Sequence, residues 1–343
     1  MRAGHSIEKW TMIWFVTLCT SCIVIILTTT LFILHREIII KDQEPPLQHF
    51  IPQLPQQNSW EIPIVDVKII INDIPVRSIA QGETTINATI SFQYDPEMVS
   101  SNTIDKFSFD HGTIEEKEPP RFSLSNKLIT ADYRIRAKFT NPLNFEQFPL
   151  DDHRMYLALT NNTISSNQII YRTNPTNITI NKNAQVQGWS ITNTTAKSGI
   201  FKVGKLTHPA VLFSLDFQNQ SVGNLFTIVI PLIILLFIAL ITLIPTEKNI
   251  FSLNFSAGNI AALLAYRFII QNTSPAVGYL TMADTLYSFV LITSILCLIF
   301  NLFGIIALTK KLFFAYTLLA ILFTAGLPIT FILIVHQALF GGF

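Results

Sequence analysis

The residues best suited to chemistry in this chain lie in the stretch NFEQFPLDDHRMYLAL, residues 144–159. Asp151, Asp152 and His153 are consecutive within it. Carboxylates beside a histidine are the groups used in acid–base catalysis, and they also bind metal ions. Adjacent residues of a strand point to opposite faces, which keeps Asp152 out of a cluster with its two neighbours. A structural corner, a metal site and a catalytic site are therefore the three alternatives for this stretch.

No other catalytic pattern occurs in the sequence. The 7 histidines include no HExxH pair, and the chain has neither a nucleophile elbow nor a Gly-rich phosphate loop. Cys19, Cys22 and Cys297 all lie in apolar runs, so the polar middle of the chain has no disulfide framework and no thiolate zinc site. The sequence predicts a protein that is not an enzyme, with no metal and no cofactor.

Composition indicates a membrane protein. The chain of 343 residues is 50% hydrophobic and only 13% charged, and it contains 27 Phe. A typical soluble protein carries about 25% charged residues. The formal net charge of +1 gives no reason to expect nucleic acid as a partner.

Several apolar runs approach or exceed the roughly 20 residues that a membrane-spanning helix needs. One lies at the N-terminus, and the others crowd at the C-terminus: 10–34, then about 224–244, 252–271, 283–308 and 312–337. The N-terminal run could be a cleaved signal peptide. Its apolar core is longer than that of a signal peptide and no small-x-small cleavage site follows, so an uncleaved transmembrane anchor is favoured.

These runs divide the chain into domains. We predict a short cytoplasmic N-terminus, a transmembrane anchor, a linker rich in Pro and Gln, a β domain and a helical membrane domain, at 1–9, 10–34, 35–62, 63–222 and 223–343 respectively. The β domain contains many short segments in which polar and apolar residues alternate, separated by turn residues. This pattern predicts an all-β antiparallel, immunoglobulin-like sandwich, followed by an all-α four-helix transmembrane bundle.

Basic residues near the ends of the apolar runs predict the orientation in the membrane. With the N-terminus inside and every run crossing, the cytoplasmic cations are Arg2, Lys9, Lys248, Lys310 and Lys311. Arg36 and Lys41 lie on the other side and oppose this orientation weakly. The β domain is then outside the cytoplasm.

The opening stretch resembles the signature loop of the pentameric ligand-gated ion channels, the Cys-loop receptor superfamily. In that family a loop carrying F-P-x-D joins two strands and rests on the membrane domain. Phe148, Pro149 and Asp151 match this motif, and His153 follows it. The resemblance implies that these residues form a loop that couples the β domain to the membrane domain.

Other segments extend the resemblance to about 64–337. SFQYDPEM is similar to the family's W-x-D-P-R-L segment, with Tyr94 in place of Trp. Asn141 and Met155 stand where animal members have the cysteines of their loop, as in prokaryotic members. The resemblance and the Asn-rich composition predict a bacterial protein of the inner membrane, with the β domain in the periplasm or outside.

The helical region carries two further matches. Pro231 lies about a third of the way into its apolar run, as in the family's first channel helix. Between the second and third helices the family has P-x-x-x-Y-x-T-x-x-D, matched here by Pro275, Tyr279, Thr281 and Asp284. The resemblance implies that this connection also takes part in coupling.

The second channel helix lines the pore in this family. Helical spacing places the pore-lining residues at Ile250, Asn254, Gly258 (or Ala257), Ala261, Ala265, Phe268 and Gln271. A ring of Phe268 would form a hydrophobic constriction that gates by excluding water. The alternative is that these residues pack within a helix bundle. Ile250 departs from the charged ring that is usual at the inner mouth, and Arg267 is expected on a flank packed against a neighbouring helix.

Ligands of the family bind between subunits in a cage of aromatic side chains. Tyr171, Trp189 and Phe201 lie in the corresponding regions, although each could instead belong to the core. The resemblance implies a homopentameric channel subunit that responds to an unknown small molecule or to protons and conducts inorganic ions through a lipid membrane. The alternative is a non-conducting, membrane-tethered ligand-binding or sensor protein.

Overall fold

A computed structural model describes residues 15–21, 23–25, 42–48, 62–75, 83–182, 184, 186, 188–204, 206–220, 222–243, 249–306 and 310–340. The predicted N-terminus at 1–9 and most of the predicted linker at 35–62 lie outside these residues. The chain divides into two units. The β unit comprises Ile39–Asn144 and Asp152–Gln220, and the helical unit comprises Met1–Ile38, Phe145–Asp151 and Ser221–Phe343.

The described residues of the β unit form strands of 3 to 15 residues and little helix. Its strands are β1 (Ile64–Asp73), β2 (Glu83–Tyr94), β3 (Ser108–Asp110), β4 (Gly112–Lys117), β5 (Arg121–Ser125), β6 (Leu128–Thr140), β7 (His153–Thr160), β8 (Ile170–Arg172), β9 (Ile178–Ile180), β10 (Trp189–Val203) and β11 (Leu206–Asn219). The α-helices within the described residues are α1 (Phe15–Ile25), α2 (Ser101–Ile104), α3 (Val222–Ile241), α4 (Asn249–Thr273), α5 (Met282–Ile306) and α6 (Lys310–Phe340).

The predicted immunoglobulin-like sandwich is wrong. The strands form one 11-stranded mixed sheet in the order β10-β11-β7-β3-β4-β6-β2-β1-β8, with β5 paired to β6 and β9 to β1. β1 is parallel to both β8 and β9, whereas a sandwich of this type is antiparallel. β8 and β10 contact each other, and Thr173 N donates to Ser198 Oγ at 2.7 Å beside them, so the sheet is a nearly closed barrel. Period-two alternation marks which residues face inward, but a barrel and a sandwich produce the same alternation.

Alternate residues of the strands fill the inside of this sheet. Along β2 every second side chain is buried, which follows from the opposite orientation of successive residues in a strand. Phe92 lies at the centre, with its ring centroid 5.1 Å from that of Phe107, 5.8 Å from Tyr133 and 5.9 Å from Tyr171. The β unit is therefore organised around one aromatic core.

A four-helix transmembrane bundle is likewise not a clear description of the C-terminal helices. Among the described residues, two helical stretches of 22 residues, Ser252–Thr273 and Met282–Phe303, are long and apolar enough to cross a membrane. The apolar stretches described in the other helices are shorter: Phe15–Ile25, Phe226–Ile241 and Leu318–Leu333. Hydropathy identifies apolar segments in a sequence, but it does not determine how those segments pack.

Polar side chains join α4 to its neighbours within the helical unit. Asn301 Nδ2 of α5 donates to Ser256 Oγ of α4 at 2.7 Å and to Thr242 Oγ1 at 3.1 Å. Asn259 Nδ2 of α4 donates to Ser294 Oγ of α5 at 3.1 Å. Hydrogen bonds between apolar helices contribute about 0.6–2 kcal/mol each. They also fix which face of α4 packs against α5.

Candidate functional site

The loop Phe145–Asp151, which we call the F-P-x-D loop, belongs to the helical unit, although its neighbours in the sequence belong to the β unit. It is a compact turn in which Phe148 N donates to Phe145 O at 3.1 Å and Leu150 N donates to Gln147 O at 2.8 Å. The Phe148–Pro149 peptide bond is cis. Phe148, Pro149 and Asp151 are all buried. The F-P-x-D motif thus forms a buried turn.

The carbonyl groups of this loop cap the first turn of α5. Met282 N donates to Glu146 O at 2.8 Å, and Ala283 N donates to Phe148 O at 3.1 Å. The first N–H groups of a helix have no partners within the helix and need outside acceptors. The loop supplies these acceptors, so the start of α5 and the F-P-x-D turn form one hydrogen-bonded structure.

Thr281 and Asp284, at the N-terminus of α5, complete this helix cap. Asp284 N donates to Thr281 Oγ1 at 3.2 Å, while the Asp284 carboxylate accepts from Thr281 N at 3.0 Å and from its hydroxyl at 2.9 Å. This reciprocal pair is a capping box with Asp in the position often held by Glu. The residues matched as Thr281 and Asp284 in the sequence therefore have a local structural role.

Tyr279 connects the α4–α5 segment to the same loop. Its hydroxyl accepts from Phe145 N at 2.8 Å, and its side chain is otherwise exposed. Pro275 lies four residues earlier, half-buried, just after the end of α4. Two strings that are far apart in the sequence, F-P-x-D and P-x-x-x-Y-x-T-x-x-D, are therefore in direct contact within the helical unit.

Arg267 joins α4 to this assembly. Its Nη1 donates to Asp284 Oδ1, and its guanidinium carbon lies 5.3 Å from the centre of the Tyr287 ring. The side chain therefore points to α5 from a flank of α4. Asp284 both caps α5 and binds Arg267, so this single carboxylate links α4 and α5.

The residues predicted to line a pore share one exposed face of α4. Every member whose side chain is described is exposed in the single chain: Asn254, Gly258, Ala261, Ala265, Phe268 and Gln271. Ala257, the alternative to Gly258, is exposed as well. The side chain of Ile250 lies outside the described residues. The buried face, which includes Ser256, Asn259 and Leu263, packs instead against the neighbouring helices.

His153 is at the start of β7 and belongs to the β unit. Its side chain is 1% exposed, and its Nδ1 lies 3.3 Å from Asp42 Oδ2. Its ring centroid is 5.4 Å from that of Trp189. The Asp152 side chain has a different partner, since its Oδ1 accepts a hydrogen bond from Asn219 N at 3.0 Å. His153 and Asp152 are therefore both held by contacts within the β unit, on different partners.

An ion pair lies beside these residues. Arg154 Nε and Nη2 donate to Asp216 Oδ1 at 2.5 Å and to Oδ2 at 2.8 Å, and Asn193 Nδ2 donates to the same carboxylate at 3.3 Å. The hydrogen bond that Arg154 donates to Asp216 raises the pKa of Arg154 above its usual value, although burial opposes the shift. Within the described residues no three His, Cys, Asp or Glu side chains form a group that could hold a metal ion.

The three aromatic residues predicted to bind ligand are not brought together. Tyr171 lies in the aromatic core, and burial raises its pKa to about 12 while Asn161 Nδ2 donates to its hydroxyl at 3.4 Å. Phe201 packs in a separate cluster under Leu47. Trp189 lines an open cleft of about 850 Å³ in the β unit, together with residues such as Lys182. Of the three, Trp189 alone borders open space.

Asp42 is the residue that the sequence analysis missed. It lies in the segment predicted as a linker, yet its carboxylate is 2% exposed and binds the backbone on both sides of the F-P-x-D loop. A single acidic residue before a proline-rich stretch has no distinctive sequence signal, because its partners are more than 100 residues away. Glu146 was also missed, since its backbone carbonyl rather than its side chain makes the contact with α5.

Comparison of the chain with known protein families and with curated protein sequences found no match.

Proposed function

We propose that this chain is a subunit of a ligand-gated ion channel, in which the β unit responds to a small molecule or to protons and α4 lines the pore. The proposal includes a ring of identical subunits in a bacterial inner membrane. The N-terminus is then cytoplasmic and the β unit lies in the periplasm or outside. Two helical stretches that could cross a membrane support the membrane location.

The exposed face of α4 is the observation that carries this proposal. It presents the small and amide side chains of Asn254, Gly258, Ala261, Ala265 and Gln271 together with Phe268, and the apolar side chains of Phe255, Leu264 and Ile269 are also exposed on this helix. Small and amide side chains make a poor surface for lipid, because lipid offers no hydrogen-bond partners to the amides. A face of this composition is suited to water or to further copies of the chain, as in a pore.

The contact between the F-P-x-D loop and the start of α5 gives a second line of support. Glu146 O and Phe148 O accept from the first N–H groups of α5, while Arg267 of α4 binds Asp284 in the same turn. A displacement of the loop would therefore act on α5 and, through Asp284, on α4. Ligand-gated channels require a path of this kind from a loop to the pore-lining helix.

We expect Phe268→Ala to raise the basal conductance of the purified protein in planar lipid bilayers. The Phe268 side chain is 69% exposed on the proposed pore face, and its removal would widen an apolar constriction so that water can enter. The open probability without added ligand should rise at least about tenfold, as for a gate weakened by about 1.4 kcal/mol. Single-channel recording in symmetric potassium chloride measures this change.

Phe303→Ala is the matched control for this experiment. Phe303 is 61% exposed, lies in α5 and is not on the α4 face. Its replacement should leave the basal conductance unchanged. If the wild type and Phe268→Ala are both silent between about pH 4 and about pH 9, a range that spans the ordinary pKa values of carboxylates and histidine, the channel proposal fails. The non-conducting sensor would then be the better description.

Assembly gives an independent test of the proposal. A pore at a rotation axis requires a closed ring with the same head-to-tail interface between each pair of subunits. Native mass spectrometry of the full chain in mild detergents should show a homopentamer. A monomer or a dimer in each of several detergents would contradict it.

A further inference from the structure

The segment Asp42–Gln48 lies along the outside of the β unit, next to β7 and β10. Gln48 N donates to Ile200 O at 3.0 Å and Gln48 O accepts from Ile200 N at 2.8 Å, while Lys197 Nζ lies 2.6 Å from Glu44 Oε1. Leu47 packs on the apolar cluster that contains Phe201. We call Asp42–Gln48 the strap.

Gly199 lets the strap approach β10 closely. A Cβ added at Gly199 would lie 2.6 Å from Leu47 Cγ and 2.7 Å from Gln48 O, which no side chain tolerates. Backbone pairing, an apolar contact and an ion pair therefore all hold the strap on β10. The strap is a packed part of the β unit rather than a free linker.

Asp42, at the start of the strap, holds two distant points of the backbone together. Its Oδ1 accepts from Asn144 N at 2.6 Å, and its Oδ2 accepts from Arg154 N at 2.7 Å. Its Oδ2 also lies 3.3 Å from His153 Nδ1. The carboxylate is 2% exposed, and a buried charge persists only where hydrogen bonds replace its water.

Those two amides flank the F-P-x-D loop. Asn144 is the last residue before Phe145–Asp151, and Arg154 follows it by three residues. The chain has no cysteine between Cys22 and Cys297, so no disulfide ties the two flanks. Hydrogen bonds to a carboxylate are short and about twice as strong as those between neutral groups, and one rigid carboxylate sets the separation of both amides.

We infer that Asp42 is a positioning residue, a clasp that closes the F-P-x-D loop and so sets the position of the carbonyls that cap α5. Its effect reaches α5 through the backbone, because Glu146 O and Phe148 O lie between the two flanks and accept from Met282 N and Ala283 N. The closure of the loop follows from hydrogen bonding alone. Its consequence for gating rests on the proposed function.

Hydrogen–deuterium exchange of the full chain in detergent tests the clasp. In Asp42→Ala, the amides of Asn144 and Arg154 should exchange roughly ten- to a hundredfold faster, the range expected for the loss of a bond to a charged acceptor. Met282 and Ala283 should also exchange faster, because the loop that caps them is no longer held. Asp42→Asn keeps one carbonyl oxygen as an acceptor, so it should give a smaller increase at the same amides.

Two controls separate a clasp from general destabilisation. Glu44→Gln removes the exposed ion pair of the strap with Lys197 and should leave exchange at Met282 and Ala283 unchanged. The amides of Ile90 and Phe92 in the core of the β unit should exchange as in the wild type in the Asp42 variants. Equal acceleration in the core, or no acceleration at Met282 and Ala283, would overturn the inference.

The exchange experiment is independent of conductance. Faster exchange at α5 in Asp42→Ala together with a silent Phe268→Ala would uphold the clasp and contradict the channel. A conducting Phe268→Ala together with unchanged exchange at α5 in Asp42→Ala would uphold the channel and contradict the clasp. The two proposals therefore fail separately.

Discussion

Asp284→Leu is expected to destabilise the helical unit by about 1.5–3 kcal/mol, the usual contribution of a hydrogen bond to a charged group, because the Arg267 side chain that loses its partner is 33% exposed and can still reach water. The reason is that Arg267 of α4 donates to Asp284 of α5, and the side chain of Asp284 is 13% exposed. The same carboxylate accepts from Thr281 at the start of α5, so the variant loses a helix cap as well. Denaturant titration in mild detergent, followed by tryptophan fluorescence and helical circular dichroism, measures the change.

A double variant separates these two roles of Asp284. Arg267→Met with Asp284→Leu removes both charges, and an apolar replacement of a whole buried pair is often neutral. The double variant should recover most of the loss and retain a deficit of about 0.5–2 kcal/mol from the missing cap. Asp284→Asn keeps an acceptor for Thr281 and should be less damaging than Asp284→Leu. A double variant as unstable as Asp284→Leu would show that the ion pair is not the source of the effect.

Phe92→Ala is expected to lower the free energy of unfolding of the β unit by about 3–5 kcal/mol. Phe92 is fully buried at the centre of the aromatic core, and its ring meets those of Phe107, Tyr133 and Tyr171. Each such ring pair adds about 0.5–1.5 kcal/mol to the burial of apolar area, and the cavity left by alanine adds a further cost. Thermal and denaturant unfolding of the full chain, monitored by near-ultraviolet circular dichroism, reports this core.

Two further variants calibrate the Phe92 experiment. Phe122→Ala makes the same chemical change in β5, where the side chain is 55% exposed, and should cost less than about 1 kcal/mol. Phe92→Leu retains most of the apolar volume and should fall between the two alanine variants. If Phe92→Ala and Phe122→Ala cost the same, the aromatic core does not stabilise the β unit as inferred.

Two sequence motifs show how much of the candidate site could be predicted from the sequence. F-P-x-D and P-x-x-x-Y-x-T-x-x-D were both singled out by their resemblance to motifs of a known family, and both contribute to the cap of α5. They are held together by the Tyr279 hydroxyl, which belongs to the second string, and by backbone groups such as Glu146 O and Phe148 O, which carry no signature in the sequence. The aromatic residues were a weaker guide, because Tyr171, Trp189 and Phe201 are apolar enough to serve equally well in a core.

The sequence by itself determined the local features of this protein. Alternation of apolar and polar residues marked the strands, and the apolar runs marked the segments 252–271 and 283–308, which overlap the two stretches able to cross a membrane. Helical spacing also grouped Asn254, Ala261 and Phe268 on one face of α4, where their side chains are exposed. Such features repeat over a few residues, so they are readable without knowing the fold.

The tertiary structure alone decided which strands pair and which polar groups meet. The alternation in β1 is the same whether its neighbours are antiparallel or, as here, also the parallel β8 and β9, so the sandwich was as compatible with the sequence as the nearly closed barrel. Asp42 likewise acquires its role only when Asn144 and Arg154 are folded around it. Hydrogen bonds form only at short distances, and many residue types can make them. Which partners meet across more than 100 residues of sequence is therefore decided by the packing of the whole sheet.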